Sequence, residues 1–122
     1  MVAVASCSLP GEIRLHNYSA GQIDVRLGEE SNLVDPGESI QFSLLAHHIF
    51  SIVVDGQHLR YEAQYPNSDY WHQTRCGWWL CEVLYFRFDD DRRIRILHPD
   101  RRNDVAIPQI QPEGFPLEPA AD

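Results

Sequence analysis

The chain is expected to fold as an antiparallel β-sandwich of about seven strands, and three observations carry that expectation. Between residues 12 and 98 apolar and polar residues alternate in short runs, the period-two pattern of half-buried strands. Turn residues close these runs at intervals of roughly ten residues, the rhythm of sandwiches and small barrels. No stretch longer than ten residues carries a helical period.

Strand 12–18 sets Ile13, Leu15 and Asn17 against Arg14, His16 and Tyr18. Ser19-Ala20-Gly21 then turns the chain, and 22–27 resumes with Ile23, Val25 and Leu27 on one face, so the two strands read as a hairpin. A loop over 28–38 ends in Asp35-Pro36-Gly37, where proline presets φ and glycine takes the positive φ that follows. Strand 39–45 turns Ile40, Phe42 and Leu44 inward. His47 and His48 fall in a short connection, and 50–54 is the next strand. Asp55-Gly56 is a two-residue hairpin signal, after which 59–64 aligns Leu59, Tyr61 and Ala63. Residues 65–77 break the alternation and read as a loop. Strand 78–88 is the longest and is apolar on both faces, as a central strand is. Asp89-Asp90-Asp91 makes a tip and 93–97 closes the set. Residues 1–11 read as an arm and 12–98 as the sandwich. Residues 99–122, acidic and broken by Pro108, Pro112, Pro116 and Pro119, read as an extended or disordered tail.

Charge narrows the function classes. The chain has ten Arg, no Lys and eighteen acidic residues, a net charge of −8. Nucleic-acid binding needs clustered cations to neutralise phosphates, so an acidic sandwich is not expected to bind it; a basic protein partner fits. The lack of lysine removes Schiff-base and P-loop chemistry. No apolar run approaches the length of a membrane span. The three cysteines, Cys7, Cys76 and Cys81, cannot all pair with one another. Reduced, buried thiols in a cytoplasmic protein are the expectation, with Cys76–Cys81 pairing across a tight bend as the alternative. Val4-Ala5-Ser6-Cys7 resembles a bacterial lipoprotein processing site. It lacks the basic and apolar regions of a signal peptide, so export anchored at Cys7 is expected only if translation starts upstream.

The segment from Tyr70 to Trp79 holds all three tryptophans. Aromatic groups on a loop carried by a rigid scaffold are suited to recognition. Tyr70, Trp71, His72, Arg75, Trp78 and Trp79 are therefore the candidate partner-binding residues, with Trp71 expected to face solvent from its loop. Arg87, Arg92, Arg93 and Arg95 face the acidic tip at 89–91 and are expected to pair with it; the alternatives are a secondary, anion-reading patch of Arg92, Arg93 and Arg95, and an acidic tail that folds back and masks it. His72, Cys76 and Cys81 do not have the spacing of a zinc site, and Met1 is the only methionine, so no metal or cofactor is expected. His47, His48 and His58 read as solvated loop residues. No serine occupies a G-x-S-x-G turn and no nucleophile–base–acid set stands out, so catalysis is not expected.

Leu15-His16-Asn17-Tyr18-Ser19, then Pro36-Gly37, then His48-Ile49-Phe50 resembles the β-domain of the von Hippel–Lindau tumour suppressor and similar bacterial domains. The likeness covers residues 13–54. It implies an Ig-like, seven-stranded sandwich that binds peptide on a sheet face, with His48 and Phe50 at two groove positions. Phe50 stands where that family has Trp, and Ser43 lies five residues before His48 instead of four.

The expected function is a non-catalytic protein-interaction domain, in concrete form an inhibitor or immunity-type protein that neutralises a basic partner. The alternatives are a carbohydrate-binding module with a Trp/Tyr stacking platform, and a small metal-binding protein.

Overall fold

A computed structural model describes residues 9–66, 68–98 and 110–120. Among these described residues it is a two-sheet, all-β structure of nine strands with one short 3-10 turn at Ser68–Tyr70. The strands are β1 (Leu9–Asn17), β2 (Ile23–Leu27), β3 (Glu30–Val34), β4 (Ser39–Ser43), β5 (Ile49–Val54), β6 (Gln57–Glu62), β7 (His72–Cys76), β8 (Trp79–Phe88) and β9 (Ile94–Leu97). One sheet runs β4-β1-β8-β7, with β9 pairing the second half of β8; the other runs β3-β2-β5-β6. Among the described residues no helix is long and apolar enough to cross a membrane.

The inward faces follow the alternation. Ile13 and Leu15 of β1, Leu84, Phe86 and Phe88 of β8, and Ile94 and Ile96 of β9 meet Ile23, Val25, Phe50, Ile52 and Tyr61 from the opposite sheet. Each such side chain contributes about 1.5–3 kcal/mol when fully withdrawn from water. β8 is the central strand its composition predicts, with β1 on one side and β7 and β9 in succession on the other. The Asp55-Gly56 hairpin forms with φ of 51° and 75° at its two turn residues. The tip at 89–91 joins β8 to β9.

Several expectations are corrected. β1 and β2 do not form a hairpin; they lie in different sheets. β1 instead pairs in parallel with β8, which makes one parallel pair in an otherwise antiparallel sandwich. The chain can cross between sheets because Asn17 is fully buried and gathers the crossing. Its amide donates to the carbonyls of Gly21 and Val34, and its Oδ1 accepts from the amide and hydroxyl of Ser19. β3 and β7 lie where loops were expected. Both are edge strands, and only Val34 of β3 is buried, so neither has a core face to impose alternation.

The sandwich also does not stop at residue 98. Residues 110–120 form a strap across the opening between the sheets. Leu117 exchanges two backbone hydrogen bonds with Ile94 of β9, and the Ala120 amide donates to the Arg60 carbonyl of β6. Leu117 is only 4% exposed, and the Phe115 ring meets Phe86 edge-on. The rest of the expected tail, 99–109 and 121–122, lies outside the described residues, as do the Val4–Cys7 motif and most of the expected arm.

Candidate functional site

Pairing places the turns at two ends. The turns at 18–22, 35–38, 55–56 and 89–93 share one end; those at 28–29, 44–48, 63–71 and 77–78 share the other. The second end carries the candidate site. There β7 and β8 form a hairpin, with Cys76 opposite Trp79 and Arg75 opposite Leu80, closed by Gly77 and Trp78. Gly77 holds a φ of 67°, which an L side chain adopts only with strain, and this sets Trp78 outward. Trp78 is 96% exposed, Trp79 60% and Leu80 45%.

Eight large apolar side chains are exposed among the described residues. Leu45, Ile49 and Tyr65 join the hairpin trio at this same end, Ile110 lies against Tyr70 of the 63–71 segment, and Leu33 lies elsewhere. Large aromatic rings buried against a partner are among the side chains that carry most of an interface's binding energy. Leu45, Ile49, Tyr65 and Leu80 were not among the sequence candidates. The signal for Leu45 was present, since two consecutive leucines at the end of a strand cannot both face the core.

The aromatic segment divides. Tyr70 and Trp71 pack against the core instead of standing in solvent. The six-membered ring of Trp71 lies on Gly11, where an added Cβ would clash with the ring. Trp71 is therefore not the exposed loop residue expected. It is half-buried, on a seat that exists because residue 11 has no side chain. The Tyr70 hydroxyl reaches the Ile110 carbonyl at the start of the strap. The His72 ring lies 5.8 Å from Tyr85, and Arg75 is exposed on the hairpin.

Cys81 is disulfide-bonded, which replaces the expected reduced thiol at that position. Among the described residues no three His, Cys, Asp or Glu side chains converge as a metal site. Phe50, implied by the family resemblance to line a peptide groove, is buried between Phe42 and Tyr61, while His48 is exposed.

The arginine patch lies at the opposite end and is already paired. Arg92 meets Asp55 at 2.7 Å, Arg93 meets Glu118 at 3.0 Å, and Arg95 meets Asp89 at 3.0 Å and Asp91 at 2.8 Å. Arg87 pairs with Asp89 while lying 4.8 Å over the Tyr18 ring. The hydrogen bond from Arg95 holds the Asp91 carboxyl below its usual range despite some burial, and Asp91 in turn raises Arg95. At the apolar end, by contrast, Glu12, Glu62 and Glu82 have no ion-pair partner among the described residues. The structure thus keeps the aromatic and arginine candidates apart: one is an exposed apolar surface flanked by carboxylates, the other a set of arginines already paired with acids. Compared with known protein families, curated proteins and solved structures, the chain matches none.

Proposed function

We propose that this chain is a non-catalytic protein-interaction domain that docks its partner on the apolar end of the sandwich. The single observation that carries this reading is the run Trp78, Trp79 and Leu80, three exposed apolar side chains in succession on a hairpin tip. A lone exposed leucine is ordinary; two adjacent tryptophans in water are not. The carboxylates of Glu12, Glu62 and Glu82, which have no ion-pair partner among the described residues, and the net charge of −8 favour a basic partner, whose encounter the field would speed. An inhibitor or immunity-type role is the concrete form of this reading.

The test compares wild type, Trp78→Ser/Trp79→Ser and Leu33→Ser as baits in extract of the native host. Recovery of the partner should persist with Leu33→Ser and fall at least about thirtyfold with the double variant, the loss of one interface hot spot or more. Equal recovery by all three overturns the reading. A stacking platform of Tyr70, Trp71 and Trp78 or Trp79 for sugars is less well supported, because Tyr70 and Trp71 are engaged by the core. Tryptophan fluorescence that responds to a glycan while the double variant still recovers protein would reverse that preference.

A further inference from the structure

We infer that the cleft between β6 and the C-terminal strap is a binding site for an extended basic peptide segment, laid along the free edge of β6. This goes beyond the proposed use of the hairpin tip, with which it shares only Glu62 and Tyr65.

β6 is the outermost strand of its sheet. In an antiparallel pair the main-chain groups of alternate residues point to the partner strand, and the others point away. The Ala63 amide donates inward to the His48 carbonyl, and Val54 and Gln57 flank the two-residue turn. That phase directs the groups of Arg60 and Glu62 outward. The Arg60 carbonyl accepts a hydrogen bond from the Ala120 amide at 2.8 Å, so this edge does take a strand-like neighbour. One step further, the outward amide and carbonyl of Glu62 meet no protein group among the described residues.

They are open because the strap leaves β6 there. At Leu117 it turns to β9, where it makes hydrogen bonds of 3.0 and 2.7 Å with Ile94. The divergence opens a cleft of about 390 Å³ between residues 60–64 and 114–120, floored by Tyr61 and Leu117. A second hollow of about 410 Å³ continues past Tyr65, Pro66 and Glu113. The two share Gln64 and Gly114. At this waist Gly114 has a φ of 90°, and a Cβ there would press within 3.3 Å of the Gln64 side chain. Each hollow falls within the size range of ligand sites.

Charge selects the occupant. Glu62, Glu113 and Glu118 line the path against one cation, Arg60. Glu118 is shared with Arg93, whereas Glu62 and Glu113 have no cation among the described residues. An added strand supplies main-chain hydrogen bonds for affinity, and its alternate side chains supply specificity. Here those side chains are Lys or Arg.

The experiment uses the full, isotope-labelled chain and short blocked peptides. One peptide alternates Arg and Val, one alternates Glu and Val, and one is the Arg-Val peptide N-methylated on the edge meant for Glu62. The Arg-Val peptide should shift the amide signals of 60–64 and 114–118 and slow hydrogen exchange at Glu62. N-methylation should weaken binding roughly tenfold through the lost main-chain bonds. Glu62→Gln/Glu113→Gln should weaken it roughly threefold while the exchange of core amides stays unchanged. No shift up to about 1 mM peptide overturns the site. Equal binding of the Glu-Val peptide overturns the basic class. Shifts confined to residues 78–80 overturn the cleft as the location while leaving the hairpin reading intact.

Discussion

At the end of the sandwich where β1, β3, β5 and β8 finish, each turn is fastened to another. The Ala20 amide donates to Asp90, the Gln22 amide side chain to Asp35, and Arg92 spans to Asp55. Beneath them Asn17 and Ser19 satisfy the buried crossing. At the opposite end the 77–78 turn stands clear, with Trp78 and Trp79 wet and the nearby glutamates without an ion-pair partner among the described residues. The first end spends its polar groups internally, so they hold the fold and offer little to a partner. The second leaves apolar area and charge unsatisfied, so substitutions there should leave stability intact and alter recognition.

The largest effect expected from this contrast is at Asn17. Asn17→Ala strips partners from the Gly21 and Val34 carbonyls and from Ser19 inside the protein, and should cost about 4 kcal/mol of unfolding free energy in urea titration. A loss under about 1 kcal/mol would mean that the crossing is held by backbone alone. Gly11→Ala should cost about 2 kcal/mol, because the Trp71 ring must leave its seat. A shift in tryptophan emission should accompany the loss, and Gly11→Ala/Trp71→Leu should recover part of it. No recovery would show that the damage lies in β1 itself.

Asp91→Asn should cost only about 0.5 kcal/mol, since the pair with Arg95 is partly solvated. The folded carboxyl titrates below its unfolded value, so this contribution is complete above about pH 4. It drains as pH falls through the lower folded value. The wild-type and variant stability curves should therefore converge in acid; parallel curves would remove the ion pair from the account. Trp78→Ser closes the series, with a stability change inside about 0.5 kcal/mol despite the size of the side chain removed. A larger loss would show that the tip is packed, and would dissolve the distinction between the ends.

What the sequence made legible follows from which residues the core disciplines. Phe86 and Phe88, or Ile94 and Ile96, alternate because an error there would bury a charge, so β8 and β9 could be read directly. β3 and β7 sit on edges, where Ser31, Asn32, Gln73 and Thr74 serve without penalty and erase the period. The site was half legible for the same reason. A cluster of tryptophans announces value but not orientation: Trp71 is drawn inward by the gap at Gly11, sixty residues earlier in the chain, while Trp78 is pushed out by the φ of the residue just before it. The short-range cause could have been read from Gly77 as a turn residue; the long-range one could not. Asn17 shares the inward face of strand 12–18 with Ile13 and Leu15, but nothing in the alternation shows that its buried amide ties the crossing between layers.

Leu117 gives the molecule a schedule. It seals an opening whose other walls are complete by β9, so a nascent chain that has not yet delivered residue 117 carries Ile94 and Phe86 at an unclosed seam. Any product cut short between 98 and 116 inherits that seam permanently. Such fragments should associate through it, which makes the integrity of the strap a condition of remaining dispersed.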